Sequence, residues 1–359
     1  MPEFHRFPPI DQEDLDNITR RLSGVAHLLS GANLFITGGT GFLGRCLVES
    51  VLELEKTFSL GCSVTILSRD PDAFLNRLPH LKANPHLDFI KGDIRTFDAP
   101  KKRMTHILHG AASQDTKLNL NNQLDLFEVI VGGLKRVLDY ASSCRPERIL
   151  MLSTSNIYGT GQVSASPVFE GAALSPDPYS QNAAYIEGKR SAEFLCAHHA
   201  SRTSTHMPVA RIFNQIGPHI PLQPSNVAGD FIKSVLQNRP LVMLSDGSSF
   251  RSYMYCTDFA VWILTLLLKG QSKAYHVGGE EGLHLFEMAN KIAAQYNLEV
   301  QSVCPISRDL HRKGVIPSTR RAFEEFGLTC EVDFMQALGK TVDWYRKAIS
   351  AGCTVKSNC

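Results

Sequence analysis

The sequence has no excess of charge of either sign, no paired cysteines and no long apolar run. Thirty-seven Lys and Arg stand against thirty-five Asp and Glu, a net charge of +2 over 359 residues. That leaves no basic surplus to grip a polyanion, which argues against a nucleic-acid partner. The nine cysteines, at 46, 62, 144, 196, 256, 304, 330, 353 and 359, occur singly, without a Cys-x-x-Cys. An odd, scattered set suits reduced thiols and argues against a disulfide frame or a zinc site. The longest apolar run, Phe259–Leu268, is about half the ~20 residues a bilayer span needs, and predicts a buried helix around Trp262. The opening residues carry no apolar signal segment. These absences predict a cytoplasmic protein with neither a membrane partner nor a metal.

What is present is a chain that is 43% hydrophobic, with 26 Gly and 18 Pro, long enough for two domains or one large domain with an added lobe. Apolar positions from Gln12 to Leu29 follow a helical period at Leu15, Ile18, Leu22, Val25 and Leu28. They predict an extension, residues 1–30, that packs on the body or on a partner subunit. Strands are then expected at Asn33–Thr37, Ser63–Leu67, Leu87–Lys91, Thr105–His109, Arg148–Ser153 and Val209–Phe213. Helices separate them, the longest at about 123–142 and 183–203. Repeated β-α units predict an α/β Rossmann fold, a doubly wound parallel sheet. Past residue 214 the chain becomes irregular and richer in proline, which predicts a smaller C-terminal α/β lobe for substrate. The expected division is 1–30, a dinucleotide-binding domain over 31–213, and a lobe over 214–350 interleaved with it.

The strongest local signal is Thr37-Gly38-Gly39-Thr40-Gly41-Phe42-Leu43-Gly44, where a strand runs through glycines into a helix. Gly38 permits a tight turn, Gly41 lets backbone approach a pyrophosphate, and Gly44 lets helix and strand pack closely. The helix start at Phe42 and Leu43 supplies N–H groups for the phosphates. At the end of the second strand stand Ser68, Arg69 and Asp70. A carboxylate there suits a ribose 2′-OH, whereas an Arg suits a 2′-phosphate. Asp70 begins an Asp-Pro helix start, so Ser68 and Arg69 favour NADP, with NAD as the alternative.

The reaction chemistry lies further on. Strand Arg148–Ser153 leads into Thr154-Ser155-Asn156-Ile157-Tyr158-Gly159, and Tyr185 and Lys189 follow four residues apart. At that spacing they share one helix face. A lysine ammonium beside a phenol favours the phenolate, making Tyr185 a general base for a sugar hydroxyl or a general acid for a ketone. Thr154 can hydrogen-bond the same oxygen. His198-His199 and Cys256 show no such constellation and are taken as a surface pair and a small core residue.

Seven motifs in order are Thr37–Gly44, Gly92-Asp93-Ile94-Arg95, His109-Gly-Ala111-Ala112, Ser153–Gly159, Tyr185–Lys189, Arg211-Ile-Phe-Asn214-Gln-Ile-Gly-Pro218 and Arg251-Ser-Tyr-Met-Tyr-Cys-Thr-Asp258. Together they resemble the extended short-chain dehydrogenase/reductases that modify nucleotide sugars, over about residues 31–345. The resemblance implies transient oxidation at sugar C4 by NAD(P), with Thr154, Tyr185 and Lys189 catalytic. It implies adenine contact at Asp93 and Ile94, dinucleotide lining by Ala111 and Ala112, nicotinamide-ribose contact by Lys189, and cofactor contact by Tyr185 as well. Ser155 and Asn156 would face substrate, and Asn214 and Arg251 would hold the diphosphate. It also implies a homodimer through the two long helices.

The chain departs from the family at three points. Thr154-Ser155-Asn156 stands where 4,6-dehydratases usually show Thr-Asp-Glu and UDP-glucuronate decarboxylases Thr-Ser-Glu. Asn exchanges no proton at neutral pH, which counts against both standard reactions. The expected activity is of the epimerase/dehydratase type without standard 4,6-dehydration. The alternatives are an NADPH-dependent 4-ketoreductase and, from another class, a non-catalytic dinucleotide sensor. Asp115 and Lys117 are candidates for a substitute acid or base. Ile130 and His276 stand where Asn is common.

Overall fold

A computed structural model describes residues 6–112, 122–159, 167–172, 176–306 and 314–351. Helix α1 (Gln12–Leu22) precedes β1 (Asn33–Thr37), α2 (Phe42–Phe58), β2 (Ser63–Ser68), α3 (Pro71–Arg77), β3 (Leu87–Lys91) and β4 (His106–His109). There follow α4 (Gln123–Cys144), β5 (Arg148–Thr154), α5 (Ala183–Ala200), β6 (Val209–Ile212), β7 (Asn214–Ile216), α6 (Val227–Leu236), β8 (Leu241–Met243), β9 (Phe250–Tyr255) and α7 (Cys256–Lys269). The chain closes with β10 (Ala274–Val277), β11 (Gly282–His284), α8 (Leu285–Tyr296), β12 (Val300–Ser302), α9 (Arg320–Phe326) and α10 (Phe334–Ser350).

Seven strands form one parallel sheet in the order β10-β6-β5-β4-β1-β2-β3. The chain winds outward from β1 to β3, then crosses back to β4 on the other side. The switch point therefore lies between β1 and β4, where such sheets leave a crevice at their carboxyl ends. The seventh strand comes from the stretch 274–277, so the chain re-enters the sheet after β7, β8 and β9, which lie outside it. Those strands, with β11 and β12, form two smaller sheets, β11-β9-β7 and a β12-β8 pair.

Helices α4 and α5 cover one face of the sheet, where Ile130, Leu134, Ile186 and Ala192 are buried. On the other face lie α2 and α7. Every residue from Cys256 to Leu268 is buried, including Trp262, as the apolar run predicts. No helix among the described residues is long and apolar enough to cross a membrane. The leading helix ends earlier than the expected Leu29: α1 stops at Leu22 and a 3₁₀ turn, Ala26–Leu29, completes the approach to β1. Gly24 interrupts the period, and glycine is a poor helix interior residue.

Candidate active site

The switch point is built around β1 and β4. Thr37 Oγ1 accepts from the N–H groups of Gly110 and Ala111, both at 3.2 Å, and lies 2.9 Å from His109 Nδ1. With its lone pairs so engaged, the threonine hydroxyl donates to His109, which is the neutral tautomer with Nε2 protonated. Burial first, and then the charge of Lys189, bring the His109 pKa down to about 3. Gly38 has φ 77°, and a Cβ there would lie 2.6 Å from the Gly110 carbonyl. A Cβ on Gly44 would lie 2.2 Å from the Gly38 oxygen, so helix and loop meet only because that side chain is missing. Gly41 is the cap residue before α2, and no side chain caps the first N–H groups of the helix. Those donors and the positive helix end fit the pyrophosphate of a dinucleotide.

At the end of β2, Ser68 is buried and its Oγ accepts from Asp70 N at 3.2 Å. The Asp70 carboxylate accepts from Ala73 N at 3.0 Å and caps α3, so it is occupied in folding. Arg69 is exposed, with no ion pair among the described residues. Asp93 is bound by Arg95, whose Nε donates to it at 2.8 Å, and Arg95 also reaches Asp125 at 2.5 Å. Those hydrogen bonds hold the Asp93 carboxyl below the usual range. Ile94 is buried behind it against Gly133, and Ala111 and Ala112 are half-buried at the end of β4.

Thr154, Tyr185 and Lys189 are all buried. The Lys189 ammonium donates to Leu152 O at 2.7 Å, pinning α5 against the end of β5. Burial pushes its pKa down to about 8, opposed by Cys196 and Glu193. Tyr185 sits one helical turn before it on the same face. Thr154 Oγ1 accepts from Asn156 N at 3.2 Å, so its own proton remains for a ligand. Ser155 is half-buried and Asn156 exposed in the 3₁₀ turn Ser155–Tyr158.

Behind this set runs a polar network spread widely along the chain. Glu193 accepts from Ser153 Oγ at 2.5 Å and from Arg211 at 2.7 Å. Arg211 donates to the Tyr158 hydroxyl at 2.6 Å, and that oxygen is 2.6 Å from His276 Nε2. His276 Nδ1 is 3.0 Å from Ser318 O, a pure acceptor, so Nδ1 carries the proton and Tyr158 donates to Nε2. Burial lowers the His276 pKa to about 4, keeping this acceptor neutral.

In the three-stranded sheet, Asn214 Nδ2 donates to Ser252 O at 3.1 Å, tying β7 to β9. Arg251 lies on β9, half-buried, its Nε donating to Ser249 Oγ at 3.2 Å; it makes no ion pair among the described residues. His198 is exposed and His199 half-buried, and Cys256 is fully buried. Asp115 and Lys117 lie outside the described residues.

Residues 34–278 match the sequence profile of the NAD dependent epimerase/dehydratase family. The chain belongs to this family. Among curated relatives it is similar to UDP-glucuronic acid decarboxylase 1 of Arabidopsis thaliana, 24% identical over 88% of this chain and 70% of that protein. It is also similar to dTDP-glucose 4,6-dehydratase of Streptomyces antibioticus, 23% identical over 88% of this chain and 92% of that one. The fold matches a dTDP-glucose 4,6-dehydratase from Streptomyces venezuelae solved with NAD, at TM-score 0.74, 24% identity, and 88% and 97% coverage of the two chains. It likewise matches a UDP-glucose 4-epimerase from Thermotoga maritima solved with UDP-glucose, at TM-score 0.73, 21% identity, and 88% and 99% coverage.

Within this epimerase/dehydratase family, two of the unusual residues have local physical reasons. Ile130 on α4 is fully buried, and a Cβ on Gly188 of α5 would touch it at 3.3 Å. Ile130 thus fills the space between α4 and α5 with apolar packing. His276 accepts from Tyr158, which itself accepts from Arg211, the residue that also donates to Glu193. Sequence reasoning missed Glu193, although its position four residues after Lys189 puts it on the same helix face.

Proposed function

We propose that this chain modifies a nucleotide sugar by transient oxidation at C4, in the manner of a 4-epimerase. The observation that carries the reading is the bond from Lys189 to Leu152 O, which holds the ammonium at the strand end that bears Thr154. Tyr185, held near that cation, takes the C4 hydroxyl proton and later returns it. Thr154 donates to the same oxygen. Bound NAD(P) supplies the hydride acceptor and, on reversal, the donor. Asn156 occupies the position where an acid would otherwise drive water or carboxylate loss, which favours the simplest outcome, inversion of C4.

A second reading, NADPH-dependent reduction of a 4-keto-sugar nucleotide, is favoured by the exposed Arg69, which makes no ion pair among the described residues, beside an Asp70 already used as a cap. Arg251 and Asn214 are the proposed diphosphate contacts. Arg251 suits that role because a guanidinium forks onto phosphate oxygens. Leu124 and Phe194, exposed apolar side chains on α4 and α5, support a homodimer through these helices. Incubation with UDP-, dTDP-, GDP- and CDP-sugars, followed by product analysis, tests the reading. Turnover without net cofactor consumption supports the epimerase, and stoichiometric loss of NADPH with a 4-keto sugar supports the reductase. Turnover of none of these substrates would reject both.

A further inference from the structure

The matched family region begins at residue 34, and the segment before it makes contacts that end at the glycine loop. Phe7 N donates to Arg77 O at 2.7 Å, at the end of α3. Its ring stacks on Trp344 of α10 at 5.5 Å and meets the His219 ring edge-on at 4.9 Å. The Arg45 guanidinium lies over the same ring, 5.5 Å from its centre. Ile10 N donates to Glu49 of α2 at 2.9 Å, and Trp344 Nε1 donates to Pro9 O at 3.0 Å. The segment is thus clamped on α2, α3 and α10 together.

Arg45 is the residue after Gly44, in the first turn of α2. Its Nε donates to Thr40 O at 3.0 Å, while Gly41 N donates to Gly38 O at 3.1 Å. The peptide joining Thr40 to Gly41 is therefore held from both sides, and it sets the direction from which the helix presents its first N–H groups. Burial draws the Arg45 pKa down to about 10. A guanidinium kept in that place at such a cost must be held there by its contacts, and the Phe7 ring face is one of them.

We infer that Phe7 is a positioning residue for the dinucleotide: it seats Arg45, and Arg45 holds the Thr40–Gly41 peptide of the glycine loop in its binding geometry. The inference rests on the loop being the cofactor site, which follows from the family and not from the identity of the sugar. A failure of the C4 reading therefore leaves it untouched.

Equilibrium binding of NADH and NADPH, followed by fluorescence, tests it alongside thermal unfolding without cofactor. Phe7→Ala should raise the dissociation constant about tenfold. Phe7→Tyr, which keeps a ring face, should restore the parent value, and Phe7→Leu, which keeps only the apolar plug, should not. Arg45→Met should weaken binding as well, and in that background Phe7→Ala should have little further effect. The inference is overturned if Phe7→Ala, or a folded Phe7→Leu where alanine does not fold, lowers the unfolding temperature yet binds cofactor within twofold of the parent. It is equally overturned if Phe7→Ala weakens binding to the same degree with and without Arg45.

Discussion

The Lys189 ammonium and the Leu152 carbonyl meet at 2.7 Å, so a helix and a strand are joined by a group that also titrates. Burial brings the Lys189 pKa down to about 8. Its cation, on which the proposed role of Tyr185 as base depends, is lost as the pH rises through that value. The expected outcome is an alkaline fall in kcat/KM with an apparent pKa of about 8. Lys189→Arg, charged at all accessible pH, should lower kcat yet move that limb upward. An unmoved limb would show that Lys189 does not set it.

Tyr185→Phe removes only the phenolic oxygen from a buried position. General acid–base groups contribute about 10²–10⁴-fold in rate, so kcat should fall within that range. Binding of NADH should stay within a few-fold of the parent, because the glycine loop is untouched. Full activity in the variant would reject the assignment of the base.

Tyr158 and His276 form a buried pair whose removal should be visible in stability. His276→Ala leaves the Tyr158 hydroxyl only the Phe169 carbonyl, at a long 3.5 Å, at a cost of about 1–3 kcal/mol. Tyr158→Phe and His276→Ala should be non-additive in urea unfolding, since each disrupts the same bond. The pH dependence has a definite sign. His276 and His219 are lowered to about 4 and His109 to about 3, against an ordinary 6.5. Below 6.5 the unfolded chain takes up protons that the folded chain refuses, so stability is full above that pH and falls as pH drops toward 4. His276→Asn should flatten this slope. An unchanged slope between pH 7 and 5 would mean that His276 is not held neutral.

The parts of the site legible in the sequence are those whose chemistry is local. Gly38 and Gly44 are required by the turn itself, and Tyr185 and Lys189 are brought together by one helical turn. Asp70 was recognisable as a cap because Pro71 follows it. The pairings of Glu193 with Arg211 and of Tyr158 with His276 were not legible, because sheet order decides them: β6 lies between β5 and β10. The leading helix was legible as a period, but its partners were not. Asp14 accepts from Tyr255 at 2.6 Å, Arg21 pairs with buried Asp258, and Lys340 reaches Asp14 at 3.0 Å. Each bond joins residues more than two hundred positions apart.

Arg69 should decide between the two nicotinamide cofactors. An exposed guanidinium gains a charge-assisted bond only from a 2′-phosphate, and such bonds are worth about 1.5–3 kcal/mol. Arg69→Ala should therefore weaken NADPH binding by about tenfold or more and leave NADH nearly unchanged. Equal effects on both would remove Arg69 from the ribose site and leave NAD as the natural cofactor.

Arg251 offers the most direct test of the substrate class. It is half-buried on β9 and, among the described residues, has no carboxylate partner, so its charge is available to an anionic ligand. A diphosphate bridging this guanidinium would be lost with Arg251→Ala, raising KM for the nucleotide sugar by at least about tenfold. A diphosphate held equally in the ground and transition states predicts a smaller change in kcat than in KM. Arg251→Lys should recover part of the loss through charge alone, without the fork. The nucleoside diphosphate, used as a competitive inhibitor, should weaken in parallel with the substrate. If the inhibitor held its affinity while the sugar nucleotide lost its own, Arg251 would be contacting the sugar and not the phosphates.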